Sequence, residues 1–85
     1  MHCSIYKGRR TPDTYLFVPI KDDFTAVPAA LLQTMGPLEH VMDLVLTPQR
    51  RLARAESVTV MRRLLLQGCY VQMPPRDEQD PDTAV

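Results

Sequence analysis

The stretch TYLFVPI, Thr14 to Ile20, decides the fold. Its centre, YLFV, is aromatic and aliphatic, as strands are. Strand alternation sends Tyr15 and Phe17 to one face and Leu16 and Val18 to the other. Both faces are therefore apolar, and a strand without a polar face belongs in a sheet covered on both sides.

Upstream, HCSIY (2–6) reads as a first strand, with Cys3 and Ile5 on one face and His2, Ser4 and Tyr6 on the other. The short link KGRRTPD (7–13) holds Gly8 and Pro12, so the two strands are expected to form an antiparallel hairpin. Downstream, KDDFTAVPAALLQTMGP (21–37) reads as a helix. Pro28 suits its first turn, Leu31, Leu32 and Met35 share a face, and Gly36 followed by Pro37 stops it. Asp22, Asp23 and Thr25 lie upstream, where carboxylates and caps favour the positive helix end.

LEHVMDLVLT (38–47) is the next strand. Alternation puts His40, Met42, Leu44 and Leu46 on one face and Val41, Asp43 and Val45 on the other. PQRR is a turn and LAR a brief returning strand. A second helix lies within AESVTVMRRLLLQG (55–68), with Val60, Met61, Leu64 and Leu65 as its apolar stripe and Gly68 as its stop. CYVQM (69–73) closes the sheet, and Pro74 and Pro75 end it. The order is β-β-α-β-(β)-α-β, an α+β chain around a small, mainly antiparallel sheet.

Eighty-five residues allow one domain. With no Trp, the core must rest on Leu, Val and Met. Net charge is zero but unevenly spread. Residues 76–85 hold Arg76 against Asp77, Glu78, Asp80 and Asp82, whereas 1–75 hold nine bases and six acids. The expected organisation is a domain over 1–75 and an acidic, disordered tail over 76–85, which lacks the apolar groups to offset ordering entropy. No basic, then apolar, leader follows Met1, and runs such as LLL and YLFV are too short to cross a bilayer. A cytoplasmic protein with no membrane contact and two free thiols is expected.

Chemistry is sparse. Zinc ligands come in close pairs, and none of Cys3, Cys69, His2 and His40 has that spacing. His2 and Cys3 are strand neighbours and point to opposite faces. Cys69 follows a helix C-terminus, whose dipole disfavours a thiolate. No catalytic residue, metal or cofactor is expected, and the chain reads as no enzyme. Asp22 and Asp23 either cap the helix or position a basic partner. Arg50, Arg51, Arg54, Arg62 and Arg63 surround the second helix, with Lys7, Arg9 and Arg10 in the first turn. They form either a solvated face or a patch for RNA or an acidic protein surface.

YLFVPIKDDFTAVPAALLQTMG, RRLARAESVTVMRRLLLQG, GCYVQMPP and the opening MHCSIYK together resemble the YcgL-domain family, KDDF above all. The resemblance covers 1–75 without a gap. It implies a small bacterial protein with a compact three-layer α/β/α sandwich, and no established activity, cofactor or catalytic residue. In some relatives the gene neighbours that of ribonuclease D, which implies a link to RNA processing. His2, His40 and Cys69 depart from the family pattern; Cys3 matches it and reads as packing beside Ile5.

The expected function is a non-enzymatic accessory or protein-interaction domain, with an RNA-processing enzyme as one partner class and direct RNA binding through the arginines as the alternative. The expected surface comprises Lys21, Asp22, Asp23 and Phe24, with Phe24 either an exposed anchor or a core residue, together with Arg50, Arg51, Arg54, Arg62 and Arg63.

Overall fold

A computed structural model describes residues 1–50, 52 and 56–73. The elements run β1 (His2–Gly8), β2 (Tyr15–Val18), α1 (Ala29–Met35), β3 (Leu38–Val45), α2 (Ser57–Gln67) and β4 (Tyr70–Gln72). They form an α+β fold: one four-stranded sheet in the order β3-β1-β2-β4, every neighbouring pair antiparallel, with two helices. The β1–β2 hairpin is as the short link requires. The other two connections are long, since α1 lies between β2 and β3, and α2 lies between opposite edges of the sheet.

The doubly apolar strand packs on both sides. Phe17, opposite Ile5, joins a cluster with Cys3, Leu44, Leu46 and, from α2, Val60 and Leu64. Leu16, opposite Tyr6, joins a second cluster with Val18, Val27, Met35 and Cys69, against which Leu31 and Leu32 of α1 pack. Leu16, Val18, Met35, Leu46 and Val60 are wholly buried. Tyr70 pairs with Phe17 and Val71 with Leu16, so β4 presents the faces expected of it. Cys3 is buried and His2 exposed, as the first residues of a strand would be.

Three expectations are corrected. First, His40 does not share a face with Leu44. Met42 opposes Ile5 and His40 opposes Tyr6, so Val41 is an extra residue, a β-bulge. The slip turns His40 to the side of Asp43. Second, α1 begins at Ala29, behind Pro28, and no side chain caps it. The residue before a proline avoids helical geometry, so Val27 bars extension towards Asp22 and Asp23. Residues 20–27 instead form turns, with the Asp23 N–H donating to the Ile20 carbonyl at 3.1 Å and the Val27 N–H to Phe24 at 3.0 Å. Third, α2 buries Ser57, Val60 and Leu64 and packs half-buried Met61 against the same cluster, but Leu65 points to water. Leu52 is irregular, and the rest of the expected LAR strand lies outside the described residues, as does the 76–85 tail.

The helices end on glycines with positive φ, Gly36 at 73° and Gly68 at 78°. Gly8 is needed for a different reason. At the end of β1 its backbone lies against α1, so an added Cβ would meet the carbonyl oxygen and Cβ of Met35 and the hydroxyl of Thr11. Backbone cannot yield as a flexible side chain can. Gly8→Ala is expected to lower unfolding free energy by about 2 kcal/mol, typical of overpacking, read from the urea midpoint; an unchanged midpoint would contradict this close approach.

Candidate functional site

Two surface regions carry the residues that the sequence singled out. The first is built on Tyr6. Its buried ring meets Phe24 edge-on, at a centroid distance of 4.8 Å, and His40 at 5.3 Å. Its hydroxyl accepts from the Asp22 N–H at 2.7 Å and donates to Asp22 Oδ1 at 3.1 Å. Asp22 has φ 65°, a left-handed conformation that costs an L residue energy. The paired bonds to Tyr6 hold it there. The Asp23 carboxylate accepts from the N–H and hydroxyl of Thr25, at 3.1 and 2.7 Å, which closes a local turn. These carboxylates fix a loop and do not cap a helix. Phe24 is half-buried against the second cluster, while Lys21 stays exposed.

Beside this loop the bulge assembles a polar trio. Asp43 Oδ1 accepts from the hydroxyl of buried Ser4 at 2.6 Å and lies 2.9 Å from His40 Nε2. The Ser4 bond foremost, then that to His40, holds the Asp43 carboxyl below its ordinary value. Thr25 does the same for Asp23, and burial pushes the Tyr6 phenol up. The trio contains the residue types of a hydrolytic triad in the wrong order. Ser4 and His40 both turn to the carboxylate, so the imidazole is not placed to take the serine proton. Both cysteines are buried, and burial pushes their thiols up, away from thiolate chemistry. Among the described residues no three His, Cys, Asp or Glu side chains come together to hold a metal.

The second region is the outer side of α2. Leu65 and Leu66 are each 76% exposed, Val58 is exposed, and Met61 is half-buried. With Pro48 and Arg62 they line a hollow of about 500 Å³. A second hollow of about 490 Å³ shares Pro48 and Val58 and includes Arg50 and Leu52. Arg50 borders one hollow and Arg62 the other, the two meeting at Pro48 and Val58, and Arg63 is exposed on the same helix. Among the described residues the ion pairs are Lys7–Glu39, at 4.0 Å, and His40–Asp43, and neither uses an arginine. Arg51 and Arg54 lie outside the described residues. Arg9 and Arg10 sit elsewhere, at the end of α1: their N–H groups donate to Pro37 and Met35, and Arg10 reaches the Gln33 carbonyl at 3.5 Å.

Sequence reading missed the Ser4–His40–Asp43 trio, because strict alternation separates His40 from Asp43. It also missed the exposed leucines. The available signal was that α2 carries apolar residues at 58, 60, 61, 64, 65 and 66, more than one buried stripe requires.

The YcgL domain family model matches residues 3–75. The chain belongs to the YcgL-domain family. It is 47% identical over 75 residues to a YcgL domain-containing protein of Stenotrophomonas maltophilia, covering 88% of this chain and 87% of that one. It is 49% identical over 76 residues to one from Ectopseudomonas mendocina, covering 89% and 78%. With one from Thioalkalivibrio sulfidiphilus it shares 42% over 79 residues, covering 93% and 98%. These names give a domain and no activity. The YcgL match spans both regions described above. Among the described residues no helix is long and apolar enough to cross a membrane.

The Asp43 trio has a pH signature. Its carboxyl is depressed, so the stability it contributes is fully present above the unfolded value, about 3.9, and is lost as pH falls through the lower folded value. Unfolding free energies below about pH 4 should fall more steeply for the parent than for Asp43→Asn. Parallel curves would contradict this.

Proposed function

We propose that this YcgL-domain chain is a non-enzymatic accessory domain that binds another protein on the outer side of α2. The observation that carries this reading is the exposure of Leu65 and Leu66, contiguous with Val58, Met61 and Pro48 in one hollow. Single exposed apolar residues are ordinary, but a contiguous patch rimmed by charge marks contact surfaces. Arg50 borders the adjoining hollow, Arg62 stands within the patch and Arg63 is exposed on the same helix, and arginine is favoured where binding energy concentrates. Arg51 and Arg54, which lie outside the described residues, are proposed to take part on sequence grounds alone. Lys21, Asp22 and Asp23 form a second, charged region, in which half-buried Phe24 serves the core more than a partner.

The same reading takes the fold as a three-layer α/β/α sandwich. Its support is that Val60 and Leu64 pack with one cluster and Met35 with the other. The outer side of α2 is then the outermost surface of one layer. Direct RNA binding has less support. Single strands are held by stacking on aromatic rings, and none of the described residues lining the α2 hollows is aromatic. Arg9 and Arg10, at the end of α1, line neither hollow.

The test is recovery of partners on the tagged full chain, with and without ribonuclease, for the parent and for Leu65→Asp with Leu66→Asp. Both positions are exposed, so the double variant should keep the parent urea midpoint. The parent is expected to retain a protein that survives the nuclease and is lost with the variant; its identity tells whether it is an RNA-processing enzyme. Equal recovery on both proteins would contradict the α2 surface, and recovery abolished by nuclease would favour RNA.

A further inference from the structure

One helix carries two stripes. Ser57, Val60 and Leu64 turn inward. Val58, Met61, Arg62, Leu65 and Leu66 follow the spacing i, i+3, i+4, i+7, i+8, the pattern with which one helix meets another. From Val58 to Leu66 the second stripe runs about 12 Å at 1.5 Å per residue, a seat for roughly two turns of a partner helix. Its one charged member, Arg62, stands mid-stripe between apolar neighbours and has no ion-pair partner among the described residues.

We propose, resting on the docking role of this face, that its occupant is an amphipathic helix of another protein that presents a carboxylate to Arg62. Burying the leucines against a partner also draws Arg62 out of water, and a desolvated guanidinium needs an anion with fork geometry. A second copy that pairs its own stripe with this one, centred on the midpoint, does not supply one. Arg62 is the midpoint of 58–66, so antiparallel pairing of two α2 helices across a twofold axis brings Arg62 against Arg62. Parallel pairing about such an axis does the same. Either way like charges meet inside an apolar seam, which selects against self-association. Nucleic acid would satisfy the arginine but leave Val58, Leu65 and Leu66 in water.

The experiment places photoreactive p-benzoylphenylalanine at position 65 of the full chain, in the bacterium that makes it, and sequences what becomes cross-linked. The expected product is a segment of another protein with apolar residues at helical spacing and an Asp or Glu among them. Arg62→Glu should cut its yield about tenfold, the effect of losing one well-placed charge pair. Replacing the partner's acid with Arg should then restore the yield. Cross-linking to a second copy, to nucleic acid or to a segment without an acid, or a yield indifferent to Arg62→Glu, overturns this occupant and leaves the docking face standing. Absence of any cross-link from position 65, while the tagged parent still retains its partner, overturns the docking face as well.

Discussion

β1 is committed on all four sides, and the rest of the molecule follows from that. It pairs with β3 on one edge and β2 on the other. One face gives Cys3 and Ile5 to the first cluster, and the other gives Tyr6 to the second. With no Trp and only 85 residues, little apolar surface is available, so a central strand must be apolar on both faces. Tyr6 does the most. It meets Phe24 and His40 edge-on, and its hydroxyl exchanges two hydrogen bonds with Asp22. A buried phenol needs such partners, and the loop supplies them by holding Asp22 in a left-handed conformation.

What the sequence reveals follows the range of the interaction. The two faces of YLFV, the hairpin and the helix stops at Gly36 and Gly68 rest on neighbours within a few residues, and all are legible. The bulge at Val41 rests on how β3 sets against β1, a pairing some 40 residues apart in sequence, as in Cys3 with Leu44. No local pattern in LEHVMDLV announces it, so the meeting of His40 and Asp43 was illegible. The Asp22–Tyr6 bonds are long-range too, and Asp22 and Asp23 therefore read as caps. α2 failed differently. With apolar residues at 58, 60, 61, 64, 65 and 66, periodicity offers more than one candidate buried stripe, and only packing against Ile5, Phe17 and Leu44 selects Val60 and Leu64.

That surplus is also where the functional reading comes from. The chain leaves two adjacent leucines in water on a helix whose inner face is already satisfied. The polar trio offers no comparable argument, because each of its bonds closes on another protein group. YcgL membership places the whole described domain in one family without assigning it an activity. The chemistry of the α2 face, apolar with arginine at its middle and beside it, therefore carries the functional reading.

The claim at the centre is that α2 folds with one stripe and leaves the other for a partner. Unfolding free energies of Leu64→Ala, Leu65→Ala and Leu66→Ala, measured side by side in urea, test it most directly. Leu64→Ala should cost about 2–4 kcal/mol, as removal of a buried leucine does. The other two should stay within about 0.5 kcal/mol of the parent, as exposed positions do. A loss at Leu65 or Leu66 comparable to that at Leu64 would mean that both stripes serve the fold, and the account of this surface would fail.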